Sequence, residues 1–135
     1  MVSTILIALA AIFKAGNDKA LFHYSKSIFK NFNPMFFNND ISWKNKWKNG
    51  DKEQGEKFPL SSTALVMFTD FYHLSNFFHT SFFQLAIISV FFFSLPIFHE
   101  NMWIMIGLNF ILFKVVYGGV FTLFFSYVFE RKEGI

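Results

Sequence analysis

The sequence predicts an all-α, polytopic membrane protein with about three transmembrane helices and an interfacial Trp/Lys connector, in one helical domain over 1–135. Three observations predict it. Hydrophobic residues make up 53% of the chain and charged residues 16%, against roughly 25% charged in a soluble domain. Phe occurs 23 times in 135 residues, more bulk than so small a soluble fold could bury, because small domains have little interior for their surface. Long apolar stretches are separated by a polar Lys-rich segment and a short turn. The absence of Cys excludes disulfides and thiolate metal ligands.

The first element is expected over about 2–30. Val2 to Phe13 is apolar, but a span needs about 20 residues, so the helix must run on through Lys14, Asp18 and Lys19. A signal peptide is the rival reading, and the lack of a positively charged leading region opposes it. Pro34 and its Asn-rich surroundings end the helix.

Residues 31–59 form the connector. Trp43 and Trp47 stand four apart among Lys44, Lys46 and Lys48, the mixture expected of a segment lying at the headgroup level. Its lysines point to anionic lipid headgroups as the counter-charge. They are too few and too mixed with acids to indicate nucleic acid.

The second helix is expected over about 61–95, opened by Pro59 and a Ser61 or Ser62 cap and closed by Pro96. Such a helix would be roughly 52 Å long at 1.5 Å per residue. With His73 as zero, Ser62, Thr69, Asp70, Asn76, Thr80 and Gln84 fall within one sector of about 120°. That stripe is expected to face other helices or a wet cavity, leaving the Phe, Leu and Ile faces to lipid. The third helix is expected over about 102–129, after a tight turn at 96–101, with Asn109, Lys114 and Tyr117 inside it and Gly118-Gly119 open to close backbone approach.

Topology follows from charge. The connector is rich in Lys, the 96–101 turn has neither Lys nor Arg, and Arg131 and Lys132 follow the third helix. The positive-inside rule therefore orients the chain with connector and C-terminal segment cytoplasmic and the N-terminal stretch outside.

Depth along such helices brings candidate chemistry to common levels. Counting 1.5 Å per residue from the outer surface, Asp18 and His79 lie roughly 24 Å in, His23 and His73 roughly 31–33 Å in, and Asp70 deeper still. Lys14 and Lys114 share a level near roughly 18 Å. Asp70 and His73, three apart, point to one side of a helix. With Asp18, His23 or His79 they would make an N/O shell suited to Zn, Mn or Fe, able to activate water against a lipid ester or phosphate. The competing reading is structural: Asp70 neutralises a Lys and the histidines bond across helices. Asp18 and His23 are about 140° apart on a straight helix and do not share a face. Lys114, near mid-span, needs a partner in this chain, another copy or another protein. Lys14, Asn76, Thr80 and Gln84 complete the set of intramembrane polar residues.

The segments SIFKNFNP (27–34), SWKNKWKNGD (42–51) and FPLSSTALVMFTDFYHL (58–74) resemble a group of small bacterial integral membrane proteins of Bacteroidota type that carry no assigned activity. The resemblance covers roughly the first 75 residues and implies a pairing of Asp18 and His23 with Asp70 and His73. Phe-Tyr stands between Asp70 and His73 where the group would place a Trp before the His.

No phosphate-binding Gly loop, nucleophile elbow or zinc-protease motif occurs. The expected function is a non-enzymatic membrane component or subunit. The alternatives are a metal-dependent enzyme acting on a lipid or headgroup, and a pore, transporter or holin-like protein.

Overall fold

The computed structural model describes residues 1–92 and 95–132. Three long helices dominate it: α1 (Val2–Phe22), α4 (Phe71–Phe92) and α5 (Met102–Leu123). Between α1 and α4 lie two single-turn helices, α2 (Pro34–Phe37) and α3 (Asn39–Ser42), and a series of 3-10 turns. Among the described residues there is no β-strand beyond isolated bridges.

α1 is the central helix. Its buried positions are Ser3, Ile7, Ala10, Ala11, Ala15, Gly16, Asn17, Lys19 and Ala20. Small residues let neighbouring backbones come close, and α4 and α5 pack on α1 far more than on each other. α4 runs antiparallel to α1, with Phe13 stacked on Phe78 and Phe82 at ring separations of 4.9 and 5.7 Å. α5 runs parallel to α1. At Gly16 all three meet, since a Cβ there would lie 3.3 Å from the Phe71 ring and 3.4 Å from the Phe129 ring.

Burial is inverted relative to a soluble domain, where large apolar side chains fill the interior. The largest fully buried side chains are Thr69, Asp70, Ser27, Ser42, Ser61 and Ser75, all polar. Phe77, Phe83, Leu85, Ile87, Ile88 and Phe92 of α4 are exposed, as are Trp103, Ile104, Leu108, Phe110, Ile111 and Val115 of α5. Among the described residues one helix, Met102–Val128 with 27 residues, is long and apolar enough to cross a membrane.

Element boundaries differ from the sequence reading at three places. The first helix ends at Phe22, not near 30, because 3-10 turns at Tyr24–Lys26 and Ile28–Asn31 take over. That segment then pairs with the chain after α5: Ile28 N donates to Phe129 O and Arg131 N to Lys26 O. The second helix begins at Phe71, ten residues past its expected start at 61. Ser61 and Ser62 are not caps. Ser61 Oγ donates to Lys46 O at 2.7 Å, and Glu56 gathers Leu60 N, Ser62 N and Ser62 Oγ. Leu60 is left-handed at φ 65°, which no helix allows. The connector therefore spans 23–70 rather than 31–59. The expected last turn of the second helix includes residues 93–94, which lie outside the described residues. The third helix matches closely, with α5 continuing as a π turn over Phe124–Val128. Its turn is pinned by buried Asn109, which accepts from Ile97 N and donates to Ile97 O and Met105 O.

The shared end of α1 and α5 is tied by Lys19, which is 3% exposed and paired with Glu130. The Lys19 hydrogen bond holds the Glu130 carboxyl below its ordinary value, with the charges of Lys26 and His23 adding and burial opposing. Hydrogen bonds from Ser62 depress Glu56 in the same way. A depressed carboxyl contributes stability that is present above its unfolded value and lost as pH falls through the folded one. In detergent, the unfolding temperature should therefore fall as pH drops below about 4.5, and Glu130→Gln and Glu56→Gln should each flatten that fall. A thermal-unfolding series from pH 7 to 3 checks this; an unchanged slope in both variants would refute it.

Gly16→Leu should lower stability by about 1–3 kcal/mol through overpacking against Phe71 and Phe129, with Gly16→Ala distinctly milder. Thermal unfolding of the two variants side by side provides the measurement.

Candidate functional site

At the connector end of α4, Asp70 is 1% exposed. Its carbonyl accepts the first helical bond, from Leu74 N at 3.1 Å. Its Oδ1 accepts from His73 N at 2.9 Å, and Thr69 Oγ1 donates to Oδ2 at 3.0 Å. His73 Nδ1 stands 2.7 and 2.9 Å from the two oxygens. This is a helix N-cap closed by a side chain three residues on, with His in the place where a capping box carries Glu or Gln. The Asp-x-x-His spacing that suggests paired ligands is here a capping arrangement, and the Asp70 oxygens are occupied by it. His73 keeps Nε2 as its second ring nitrogen, and the ring lines a shallow cleft of about 320 Å³ with Ala64, Val66, Met67, Asn76 and Thr80.

The other expected ligands are elsewhere. Asp18 takes Lys14 Nζ at 2.7 Å, an i,i+4 pair within α1. His23 lies past the end of α1 with its ring edge-on to Phe125 at 5.4 Å. His79 Nε2 is 3.2 Å from the Tyr117 hydroxyl on α5. Among the described residues no three His, Asp or Glu side chains are grouped to hold a metal ion. Asp18, His23, Asp70, His73 and His79 thus serve four separate local arrangements, so a shell for Zn, Mn or Fe is not assembled from them.

The expected shared level of Asp18 and His79 has contacts between their helix neighbours behind it, since Phe13 stacks on Phe78 and Asn17 meets Asn76. Asn17 Nδ2 donates to Asn76 Oδ1 at 3.1 Å, while Asn17 Oδ1 has no donor although it is buried. A polar layer therefore crosses all three helices at one level: Lys14, Asn17 and Asp18 from α1, Asn76 and His79 from α4, Tyr117 from α5.

The polar stripe of α4 is divided: Asn76 bonds Asn17 of α1, and His73, Asn76 and Thr80 line the cleft, but the face seated most closely on α1 is a different one. With His73 as zero, the face seated on α1 runs through Ser75, Phe78, Phe82, Ala86 and Ser89, all within about 40° of 180°; of these Ser75, Ala86 and Ser89 are buried. Thr80 and Gln84 are exposed, and Thr80 Oγ1 donates to Asn76 O of its own helix at 2.8 Å. The physical reason is that Ser and Ala permit close approach to α1, which the bulkier polar side does not. Gly118 and Gly119 have open space where a neighbour was expected.

Beside the polar layer, α1 holds α4 and α5 apart and leaves a cavity of about 530 Å³ between them. Ile7 lies beneath it, Phe83, Ile87 and Val90 wall one side, and Phe110 and Phe113 the other, with Lys114 and Tyr117 at one end. Nothing in the sequence marked this cavity, because it depends on which helix sits centrally.

In the connector, the Trp47–Glu56 bridge and the bonds Lys48 N to Gly55 O and Lys57 N to Lys46 O close a compact lobe. Trp43 is half exposed, with Lys44 Nζ 5.7 Å from its ring centroid and Nε1 donating to Asp40 O.

Comparison with family models, curated proteins and solved structures returned no match. The resemblance drawn from three segments of the sequence rests on those segments alone.

Asp70→Ser should keep most of the stability, since Ser also caps, whereas Asp70→Ala should lose about 1 kcal/mol or somewhat more. A metal ligand would show no such difference, with Ser as damaging as Ala to bound metal. Thermal unfolding with metal analysis of both variants distinguishes the two roles.

Proposed function

We propose that this chain is a multi-pass protein of the bacterial inner membrane, acting as a non-enzymatic component or subunit. In this reading α1, α4 and α5 each cross the bilayer. The single observation that carries it is the inverted burial, with polar and small side chains inside and large apolar ones outside. In water that surface would be a large aggregation-prone patch; in lipid it is the expected exterior.

The lengths agree. α1 and α4, with 21 and 22 residues, measure roughly 31–33 Å at 1.5 Å per residue, against a hydrocarbon core of about 30 Å. α1 carries more charge than a lone span tolerates, but Lys14 and Lys19 are both paired with carboxylates. The connector supplies Trp43, Lys44, Lys46, Trp47 and Lys48 at the end where α1 stops and α4 starts, as a headgroup-level cap on anionic lipid would. Lysines on that side and none at 96–101 orient the connector toward the cytoplasm.

The non-catalytic reading is supported by the use of the ionisable groups. Asp70 caps a helix, Asp18 neutralises Lys14, and His79 bonds Tyr117. One observation favours a second reading, a metal-dependent enzyme acting on lipid: the His73 ring lines the cleft beside residues 64–67.

The chain contains no Cys, so single introduced thiols report topology without background. The protein should stay with membranes in alkaline carbonate. Lys52→Cys should react with a membrane-impermeant reagent only after permeabilisation, and His99→Cys in intact cells. Extraction by carbonate, or equal labelling at both sites, would defeat the spanning reading. Restoration of a deletion phenotype by His73→Gln at normal protein level supports a non-catalytic role; loss of it would favour the enzyme.

A further inference from the structure

Three lysines stand on the long helices, and two are neutralised within the chain: Lys14 by Asp18 and Lys19 by Glu130. Among the described residues no carboxylate pairs with Lys114, whose Nζ lies 6.0 Å from the centroid of Phe110. Both residues line the cavity between α4 and α5. The cavity's volume, about 530 Å³, falls in the range of pockets that enclose small ligands, and such pockets combine apolar walls with a few polar groups. Here the walls are apolar, and Lys114 and Tyr117 are the lining residues that carry a polar group.

We infer that this cavity binds a single-chain carboxylate amphiphile, a fatty acid, with its carboxylate on the Lys114 ammonium and its chain against Phe83, Ile87 and Val90. The Tyr117 hydroxyl can turn its proton to the same carboxylate when His79 carries the Nε2 proton. The inference rests on the membrane reading above, in which the bilayer supplies the ligand.

Depth selects a carboxylate over a phospholipid headgroup. Lys114 is twelve residues into α5, roughly 18 Å along it and so near mid-span. A phosphodiester keeps its charge at neutral pH and is held at the interface by its glycerol. A carboxylic acid can take up a proton from water at the interface, cross the hydrocarbon neutral and, once that proton has passed back to water, pair as carboxylate with the ammonium. Shape argues against a partner helix. The cavity covers residues 83–90 of α4 and 110–117 of α5, only about 10 Å of length, whereas a helix needs a groove about 10 Å wide along its whole span.

The test uses full-length protein in non-ionic detergent, with palmitate and methyl palmitate as probes, read by native mass spectrometry and thermal unfolding. Palmitate should give a one-to-one adduct and raise the unfolding temperature, and the ester should do neither. Lys114→Gln should weaken palmitate binding on the order of tenfold or more, as loss of a desolvated charge pair does, and Lys114→Arg should retain it. Ile87→Trp, filling the cavity from an exposed position, should abolish it. Equal binding of acid and ester would mean ordinary lipid contact and overturn the inference. Unchanged binding in Lys114→Gln, or a carboxylate-bearing helix found seated at Lys114, would overturn it as well. Should Lys114→Gln lose its circular-dichroism signature, the acid–ester comparison on the unmodified protein decides. These measurements are made in detergent, so their failure leaves the spanning reading intact, and carbonate extraction tests that reading separately.

Discussion

The small-residue spine of α1 is the constraint from which the rest of the structure follows. Ala10, Ala11, Ala15 and Gly16 present nothing larger than a methyl group, and all are buried. A helix so narrow admits a neighbour on each side, so α1 takes the centre and keeps α4 and α5 apart. The separation opens the cavity over Ile7. It also brings Asn17 to Asn76. Where lipid is the solvent there is no hydrophobic gain in bringing helices together, so close van der Waals contact and polar bonds must hold them. An interior of Ala, Ser and Asn, with Phe and Ile outside, is what that requirement produces.

The three helices are held more tightly at the connector end than at the other. Gly16 lies under Phe71 and Phe129, Lys19 reaches Glu130, and the chain after α1 pairs with the chain after α5. Asp70 starts α4 at the same place. These contacts lie next to a lobe closed by its own backbone bonds, with Glu56 gathering three donors across a turn that Leu60 enters left-handed. At the opposite end, Asn109 clasps both polar atoms of Ile97, and Asn101 caps α5 through Trp103 N and Ile104 N. Satisfaction of backbone groups at both ends, where the chain leaves its helices, fits the penalty for an unpaired peptide group away from water.

The helical class and the bounds of α5 were legible because they depend mainly on composition and on where the apolar run stops. The start of α4 was not. Pro59 and Ser61-Ser62 form a reasonable start signal, and tertiary contacts rule it out: Glu56 with Leu60 and Ser62, and Ser61 with Lys46. That error carried over into the site. In a helix begun at 61, Asp70 would be an interior carboxylate free to hold a ligand; in a helix begun at 71 it is the cap. Asp-x-x-His fits both roles, and the position of the helix start alone tells them apart. The stripe on α4 was legible only in part: Asn76 does meet Asn17, but small size at Ser75, Ala86 and Ser89 decided which face packs most closely on α1. Glu130 as the partner of Lys19 was hidden by sequence distance, though it is the one acid directly after α5.

Composition and energetics rank the helices in opposite orders. α1 holds Lys14, Asp18 and Lys19 and so counts as a poor span, yet an adjacent ammonium and carboxylate at 2.7 Å act as a dipole rather than as two charges. Lys19 is offset too, by Glu130 and by the Phe125 ring 4.7 Å away. α5 holds a single charge between Met102 and Val128 and passes easily. That charge, Lys114, is the one this chain does not neutralise among the described residues, and on the membrane reading it stands near mid-span, where an insertion cost of about 3 kcal/mol applies to an uncompensated lysine. A residue-by-residue hydropathy sum cannot register this difference, because it adds charges without asking whether they meet. The helix that most resembles a membrane span by composition is therefore the one whose charge an outside molecule has most to stabilise.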